Sequence, residues 1–316
     1  MTGTMGTPCS AEAVAEPPIA PLELLDHREV AWPRVRWTAY LVHQQFRYEY
    51  PTRIHDLRHR LMIIPPERHG DQRLVTHRLE ISSPTTEVRR EQDAFGNLVL
   101  SLAVDQVARA IDFTAWIVVE REATVGPVAV SAETYADPAL REPSPLTIPD
   151  DALSAAADAI GGDGGDDVSL AARINTWVHA EMRYRHGATG VRTTAAEAFA
   201  ERCGVCQDYA HVMLALCRLR GLPARYVSGH LLGEGGTHAW VEVLLADPDH
   251  PGRFVARPFD PTHGTEPGLN YVTVAVGRDY GDVAPTSGTY RSPVPGHLVA
   301  RKHVGVTAVE YFPGQP

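Results

Sequence analysis

Hydrophobic and polar positions follow a strand-like pattern in the first part of the chain, from about Trp37 to Val119. Short runs rich in β-branched and aromatic residues alternate partially with polar positions, and Pro, Gly, Asn and Ser residues separate the runs. This pattern predicts a small antiparallel sandwich or barrel. The histidines and arginines of this part are scattered, so we expect it to support or frame a site rather than supply the chemistry.

Helical spacing replaces the alternation in the second part of the chain, after a proline-rich stretch. Apolar residues recur there at helical spacing, with Ser169 placed to cap one helix and Leu219 closing the apolar stripe of the strongest helix. Strand-like runs follow the helices. The predicted helices are Asp150–Ile160, Leu170–Tyr184, Ala195–Ala200 and Val205–Arg220, and the predicted strands are Arg225–Leu232, His238–Leu245 and Phe254–Phe259. Helices followed by antiparallel strands are typical of an α+β domain.

These patterns also predict how the chain is divided. A length of 316 residues favours two domains, because single cores rarely grow beyond about 250–300 residues. The predicted segments are a disordered arm over 1–33, a β-rich N-terminal domain over 34–125, a linker over 126–150, an α+β domain over 151–290 and a C-terminal segment over 291–316.

Composition and charge exclude several classes of protein. The hydrophobic fraction of 44% is that of a globular protein, and a net charge of −10 argues against a nucleic-acid partner. No apolar run approaches the roughly 18 residues of a membrane span, so no membrane partner is expected. The N-terminal arm has no basic start and no apolar stretch typical of a secretion signal, which favours a cytoplasmic location. Three of the four cysteines crowd into one short segment, whereas a disulfide framework would spread its cysteines along the chain. We therefore expect reduced thiols.

Cys206 is the candidate nucleophile. It falls in the first turn of the strongest predicted helix, where unpaired backbone N–H groups favour a thiolate, the nucleophilic form of cysteine. His238 opens one predicted strand and Asp260 follows the next, so adjacent antiparallel strands would bring the two side chains together. Each residue alone is more often structural: a buried thiol, a packed imidazole or a turn-forming aspartate. Their order and positions together favour a Cys-His-Asp site.

The same segment allows a rival interpretation, because Cys203 and Cys206 form a C-x-x-C pair. A zinc site needs further ligands at suitable spacing, and only His211 and Cys217 lie nearby in the sequence. A redox pair favours a βαβ context, whereas the preceding segment is helical. Both alternatives are therefore weaker, although a regulatory disulfide between Cys203 and Cys206 stays open.

Several motifs together resemble the transglutaminase-like superfamily. They are GVCQDYAH (204–211), THAWVEV (237–243) and FDPTHG (259–264). The later segment GRDYGDVAPTSGTY resembles the bacterial branch of that superfamily, and LMIIPPERHGDQRLVTHRLEISSP with DAFGNLVLSLAV resembles the region that precedes the bacterial core. The resemblance implies an N-terminal antiparallel β domain followed by a papain/transglutaminase-like core, in which a helix carrying the nucleophile packs on an antiparallel sheet.

The resemblance also implies roles for individual residues. Cys206 would be the nucleophile, His238 the general base and acid, and Asp260 the group that orients His238. The backbone N–H of Cys206 would form part of an oxyanion hole. Supporting roles follow for other residues: Gln207 and Asp208 at the helix start, Trp240 packed near the catalytic pair, and Trp177 and Tyr184 either in the cleft or in the core.

A thiol enzyme of this type acts on an amide or peptide carbonyl through a thioester acyl-enzyme. The resemblance favours a cysteine protease or amidase with a peptide or protein substrate, and with no cofactor and no metal. The acidic residues Asp163, Asp166 and Asp167 lie among glycines, which favours a linker over a calcium loop. Two alternatives stay open: acyl transfer to an amine, as in a transglutaminase, and a non-catalytic binding module that keeps the fold.

Overall fold

The computed structural model describes residues 24–83, 87–161, 165–233 and 236–314. The predicted disordered arm over 1–33 lies largely outside this range. A 3-10 turn at Trp32–Arg34 leads into the first strands. These are β1 (Val35–Glu49), β2 (Ile54–Leu61), β3 (Arg68–His69), β4 (Gln72–Ile81), β5 (Val88–Gln92), β6 (Leu98–Val107) and β7 (Ala110–Glu122).

The remaining elements are first mostly helices and then mostly strands, and the chain ends in two strands. They are β8 (Val128–Val130), α1 (Ala132–Ala136), a 3-10 turn (Pro138–Leu140), α2 (Asp151–Ile160), α3 (Asp167–Glu181), β9 (Arg183–Tyr184), α4 (Ala195–Glu201), β10 (Cys203–Gly204), α5 (Cys206–Leu219), β11 (Ala224–Leu231), β12 (His238–Ala246), β13 (Phe254–Phe259), β14 (Tyr271–Gly277), α6 (Tyr280–Val283), β15 (Thr286–Arg291) and β16 (His297–Tyr311). None of the helices in the described ranges is long and apolar enough to cross a membrane.

Two antiparallel sheets form the N-terminal domain. One has the strand order β16-β1-β7-β4-β3 and the other β15-β2-β6-β5. Alternate residues of β1 and β7 point into the core between the sheets, which includes Tyr40, Phe46 and Phe113. The last two strands of the chain therefore complete sheets that the first strands begin: β16 pairs along β1 from Val35 to Glu49. The segment predicted as a C-terminal extension over 291–316 thus contains an edge strand of the N-terminal domain.

The second domain packs α5 on an antiparallel sheet with the strand order β14-β11-β12-β13-β8. On β12, Ala239, Val241 and Val243 face α5 and belong to the core that the helices share with the sheet. Strand β8 comes from the predicted linker and pairs with β13. The predicted α+β class, an antiparallel β domain followed by a helix-on-sheet core, is confirmed.

Two details differ from the sequence prediction. Helix α3 begins earlier than expected, because the carboxylate of Asp166 accepts the N–H of Ser169 at 2.8 Å and takes the capping place assigned to Ser169. Leu219, predicted to be buried, is 38% exposed at the last turn of α5. The rest of α5 is surrounded by the sheet and by α2, α3 and α4, so even His211 and Arg218 are buried.

Three buried histidines make the stability of the fold depend on pH. Burial lowers the pKa of His59 and His211 to about 4, and burial together with the nearby Lys302 lowers that of His230 to about 3. In the unfolded chain a histidine binds its proton near pH ~6.5. Below that pH the unfolded chain binds more protons than the folded one, so the free energy of unfolding falls as the pH drops toward about 4.

We therefore expect the melting temperature to fall between about pH 7 and about pH 4.5. His59 stacks on Phe113 with a centroid distance of 4.7 Å, so His59→Phe keeps the packing and removes one proton-binding group. Thermal melts of this variant should show a smaller fall over the same interval. A melting temperature that does not change with pH in the unsubstituted chain would contradict this prediction.

Candidate active site

Cys206 is the first residue of α5, and the residues around it hold the helix start in place. One carboxylate oxygen of Asp208 accepts the N–H of Val205 at 2.7 Å and the hydroxyl of Thr189 at 2.6 Å. Burial raises the pKa of Asp208, and these hydrogen bonds partly offset that effect. A Cβ atom at Gly204 would lie 2.4 Å from the same carboxylate, so only glycine leaves it room. The loop before α4 and the start of α5 are thereby locked together.

His238 and Asp260 meet as neighbouring strand ends. His238 is the first residue of β12, and Asp260 directly follows β13, which pairs antiparallel with β12. The Nε2 atom of His238 donates to Oδ2 of Asp260 at 2.8 Å, and both side chains are fully buried. The packing of two adjacent strands thus places the imidazole against the carboxylate, as the sequence order indicated.

Asp260 accepts hydrogen bonds from more than His238. Its Oδ2 atom also accepts from Nδ1 of His263 and from the hydroxyl of Tyr271, each at 2.8 Å. Its Oδ1 atom accepts the backbone N–H of Thr262 at 2.9 Å. Burial by itself would raise the pKa of Asp260, but the hydrogen bonds from His238, His263 and Tyr271 outweigh it and hold the pKa below the ordinary value. The group beside His238 is therefore a carboxylate at neutral pH.

Two members of this site, His263 and Tyr271, were not predicted from the sequence. His263 lies within the FDPTHG motif, but its contact with Asp260 depends on the turn that follows, in which Gly264 adopts a φ of 67°. Tyr271 opens β14, two strands away from β12 in the sheet. The motif was a usable signal for His263, whereas no local pattern marks Tyr271.

Cys206 and His238 line the same cavity, which has a volume of about 590 Å³. The sulfur of Cys206 lies 4.0 Å from the backbone carbonyl oxygen of Thr237, next to His238. Of the three cysteines in the described ranges, Cys203 and Cys217 are buried, and burial raises the pKa of Cys217 to about 12. Cys206 is the one that is partly exposed. Aromatic and neutral polar side chains form much of the remaining wall: Tyr184, His186, Gln207, Tyr226, Ser228, Thr237 and Tyr280.

The two tryptophans considered in the sequence analysis have different surroundings. Trp240 stacks on His238 at a centroid distance of 6.1 Å and meets Tyr271 edge-on at 5.4 Å. Trp240 therefore packs against both His238 and Tyr271, the two rings whose side chains donate to Asp260. Trp177 packs on Phe199 at a centroid distance of 5.6 Å and does not line the cavity. Tyr184, by contrast, lines the cavity.

One group in the described ranges has the spacing of metal ligands, namely His238, Asp260 and His263. One ligand atom from each lies within 4.8 Å of the others. The hydrogen bonds to Asp260 already account for this arrangement. No such group within the described residues contains Cys203 and Cys206, so the geometry does not favour the C-x-x-C zinc alternative.

Comparisons with known proteins match both halves of the chain. Residues 154–258 match the transglutaminase-like superfamily, and residues 40–120 match the bacterial transglutaminase-like N-terminal region. Among solved structures, a candidate cysteine protease from Cytophaga hutchinsonii is similar over 89% of this chain and 93% of that chain, with a TM-score of 0.67 and 21% identity. At this identity the likeness establishes the fold and not the activity.

Curated relatives match a shorter stretch. An uncharacterised protein of Mycobacterium leprae (strain TN) is 38% identical over 124 residues, which are 36% of this chain and 42% of the relative. An uncharacterised protein of Mycobacterium tuberculosis (strain H37Rv) is 40% identical over 130 residues, which are 38% of this chain and 40% of the relative. The match thus covers about two fifths of the length of these relatives.

Proposed function

The chain belongs to the transglutaminase-like superfamily, with the bacterial N-terminal region ahead of its core, and from this premise we propose that it is a thiol hydrolase acting on peptide or amide bonds. The observation that carries the proposal is the cavity shared by Cys206 and His238, in which Asp260 accepts a hydrogen bond from His238. A peptide or protein substrate and a cytoplasmic location stay predictions from the sequence.

In the proposed reaction, His238 takes the thiol proton of Cys206. Because Nε2 of His238 donates to Asp260, Nδ1 is the ring nitrogen that would accept this proton. The sulfur attacks the carbonyl carbon, and the resulting tetrahedral oxyanion collapses to a thioester as the amine leaves with the proton from His238. Water then gives a proton to His238, attacks the thioester, and releases the acid and the thiol.

Among the described residues, no carboxylate, lysine or arginine lines the cavity, and this largely aromatic, neutral wall suits an uncharged acyl group. We propose hydrolysis ahead of acyl transfer, in line with the description of the Cytophaga hutchinsonii protein as a candidate cysteine protease. Water and an amine would attack the same thioester, so the product decides between the two reactions.

The test is to incubate the purified chain with casein, with and without a fluorescent primary amine. We expect new amino termini to appear and no amine to be incorporated above the level of Cys206→Ala. Efficient incorporation of the amine at glutamine side chains would replace hydrolysis by acyl transfer. Neither product, together with a Cys206 thiol that no electrophile labels, would contradict an enzymatic function and favour the binding-module alternative.

A further inference from the structure

The tetrahedral intermediate of the proposed reaction carries a negative oxygen that must be stabilised. Acyl-transfer sites commonly direct more than one preorganised donor at this oxygen. The backbone N–H of Cys206, at the start of α5, can supply one of them. A second donor should belong to a side chain that reaches the same cavity and has no other hydrogen-bond partner.

Tyr226 meets these conditions. It lies on β11, two residues before Ser228, and both residues line the cavity together with Cys206. Tyr226 is only 2% exposed. Within the described residues, its hydroxyl neither donates nor accepts a hydrogen bond. The side chain is thus almost entirely buried, and its hydroxyl, which has no partner in the described part of the chain, is available to a substrate oxygen in the cavity.

Three other polar side chains of the cavity wall, those of Tyr184, Gln207 and Tyr280, are less suited. Tyr184 is 46% exposed and meets the ring of His186 edge-on. The amide of Gln207 donates to the backbone oxygen of Gly190 at 3.4 Å. Tyr280 is less deeply buried. Burial, and next the nearby Tyr48 of the N-terminal domain, raise the pKa of its phenol.

The surroundings of Tyr226 keep its ring fixed and its hydroxyl protonated. The ring packs against His211 at 5.2 Å and against Tyr280 at 6.5 Å. Its backbone pairs with Val241 on one side and Gly277 on the other. Burial, and next the neighbouring Cys206, raise the pKa of Tyr226 well above its ordinary value, so the phenol remains a donor at neutral pH. A fixed donor needs no rearrangement as the charge develops.

We propose that the hydroxyl of Tyr226 is the second donor of the oxyanion hole, acting with the backbone N–H of Cys206 on the same substrate oxygen. This inference rests on the proposed thiol chemistry of Cys206. It assigns Tyr226 a catalytic contact that appears only once the carbonyl carbon becomes tetrahedral, so its removal should lower the rate of acylation without changing the thiol.

The test compares two probes of Cys206 in Tyr226→Phe. Acylation by p-nitrophenyl acetate passes through an oxyanion, whereas alkylation by iodoacetamide displaces iodide at a saturated carbon and forms none. We expect the acylation burst of Tyr226→Phe to be slower by at least about tenfold, toward the ~10²–10³ seen when an oxyanion donor is lost. The alkylation rate should stay the same. Cys206→Ala supplies the background from other thiols for both probes.

Tyr209→Phe is the matched control, because Tyr209 is also 2% exposed but does not contribute to the cavity wall. It should leave both rates unchanged. Tyr226→Phe removes no intramolecular hydrogen bond, and its melting temperature should match that of the unsubstituted chain. An unchanged acylation rate, or an equal loss of both rates, would overturn the role of Tyr226. If Cys206 of the unsubstituted chain reacts with neither probe, the proposed function itself fails.

Discussion

His238→Ala is expected to lower amide hydrolysis by about 10⁴-fold, close to the level of Cys206→Ala. The imidazole of His238 lies in the same cavity as the thiol and can take the thiol proton and return it to the leaving amine, so both halves of the reaction depend on it. The measurement is turnover of the best substrate found in the casein digest, with the melting temperature recorded for each variant.

His303→Ala is the control for this substitution, since His303 is exposed on β16 of the N-terminal domain. It should retain full activity. A His238→Ala variant that is folded and keeps more than about a tenth of the activity would be inconsistent with a base that acts in both steps.

Asp260→Asn is expected to lower activity by about 10²- to 10⁴-fold. Oδ2 of Asp260 accepts from His238, His263 and Tyr271, and an amide nitrogen at that position would face three donors. Either the side chain turns away and no longer orients His238, or His238 changes its tautomer and its Nδ1 no longer accepts the thiol proton. Turnover and the melting temperature are measured together, because Asp260 is fully buried.

Tyr271→Phe tests the hydrogen bonds that hold Asp260 in place without removing the charge of its carboxylate. It removes one of the donors to Asp260 and leaves the carboxylate and His238 in place. Its loss of activity should therefore be smaller than that of Asp260→Asn. Near-normal activity in a folded Asp260→Asn variant would show that the carboxylate does not orient His238.

The fold around the candidate site was largely predictable, because it rests on strong local patterns. Helix α5 and strands β11, β12 and β13 lie within one or two residues of the predicted ranges. The resemblance to the transglutaminase-like superfamily and to its bacterial N-terminal region is confirmed over residues 154–258 and 40–120. The periodicity of buried residues and the motif at each strand end were sufficient for these parts.

Pairings between distant segments were not predictable in the same way. Strand β16 pairs with β1 across most of the chain length, and β8 pairs with β13 across more than a hundred residues. Their own sequences indicate an extended backbone at most, and the partner is decided by which sheet edge the fold leaves open. For the same reason Tyr271 and Tyr226 could not be assigned to the site before the strands were placed side by side.

The most direct test of the central claim is the labelling of Cys206 by iodoacetamide near neutral pH, followed by peptide mass spectrometry. We expect one label per chain at Cys206 in the unsubstituted protein, no corresponding label at the buried Cys203 and Cys217, and loss of the Cys206 label in a folded His238→Ala variant. Labelling of Cys206 that is equally fast in His238→Ala, or a Cys206 thiol that does not react in the unsubstituted chain, would contradict a reactive Cys206–His238 pair.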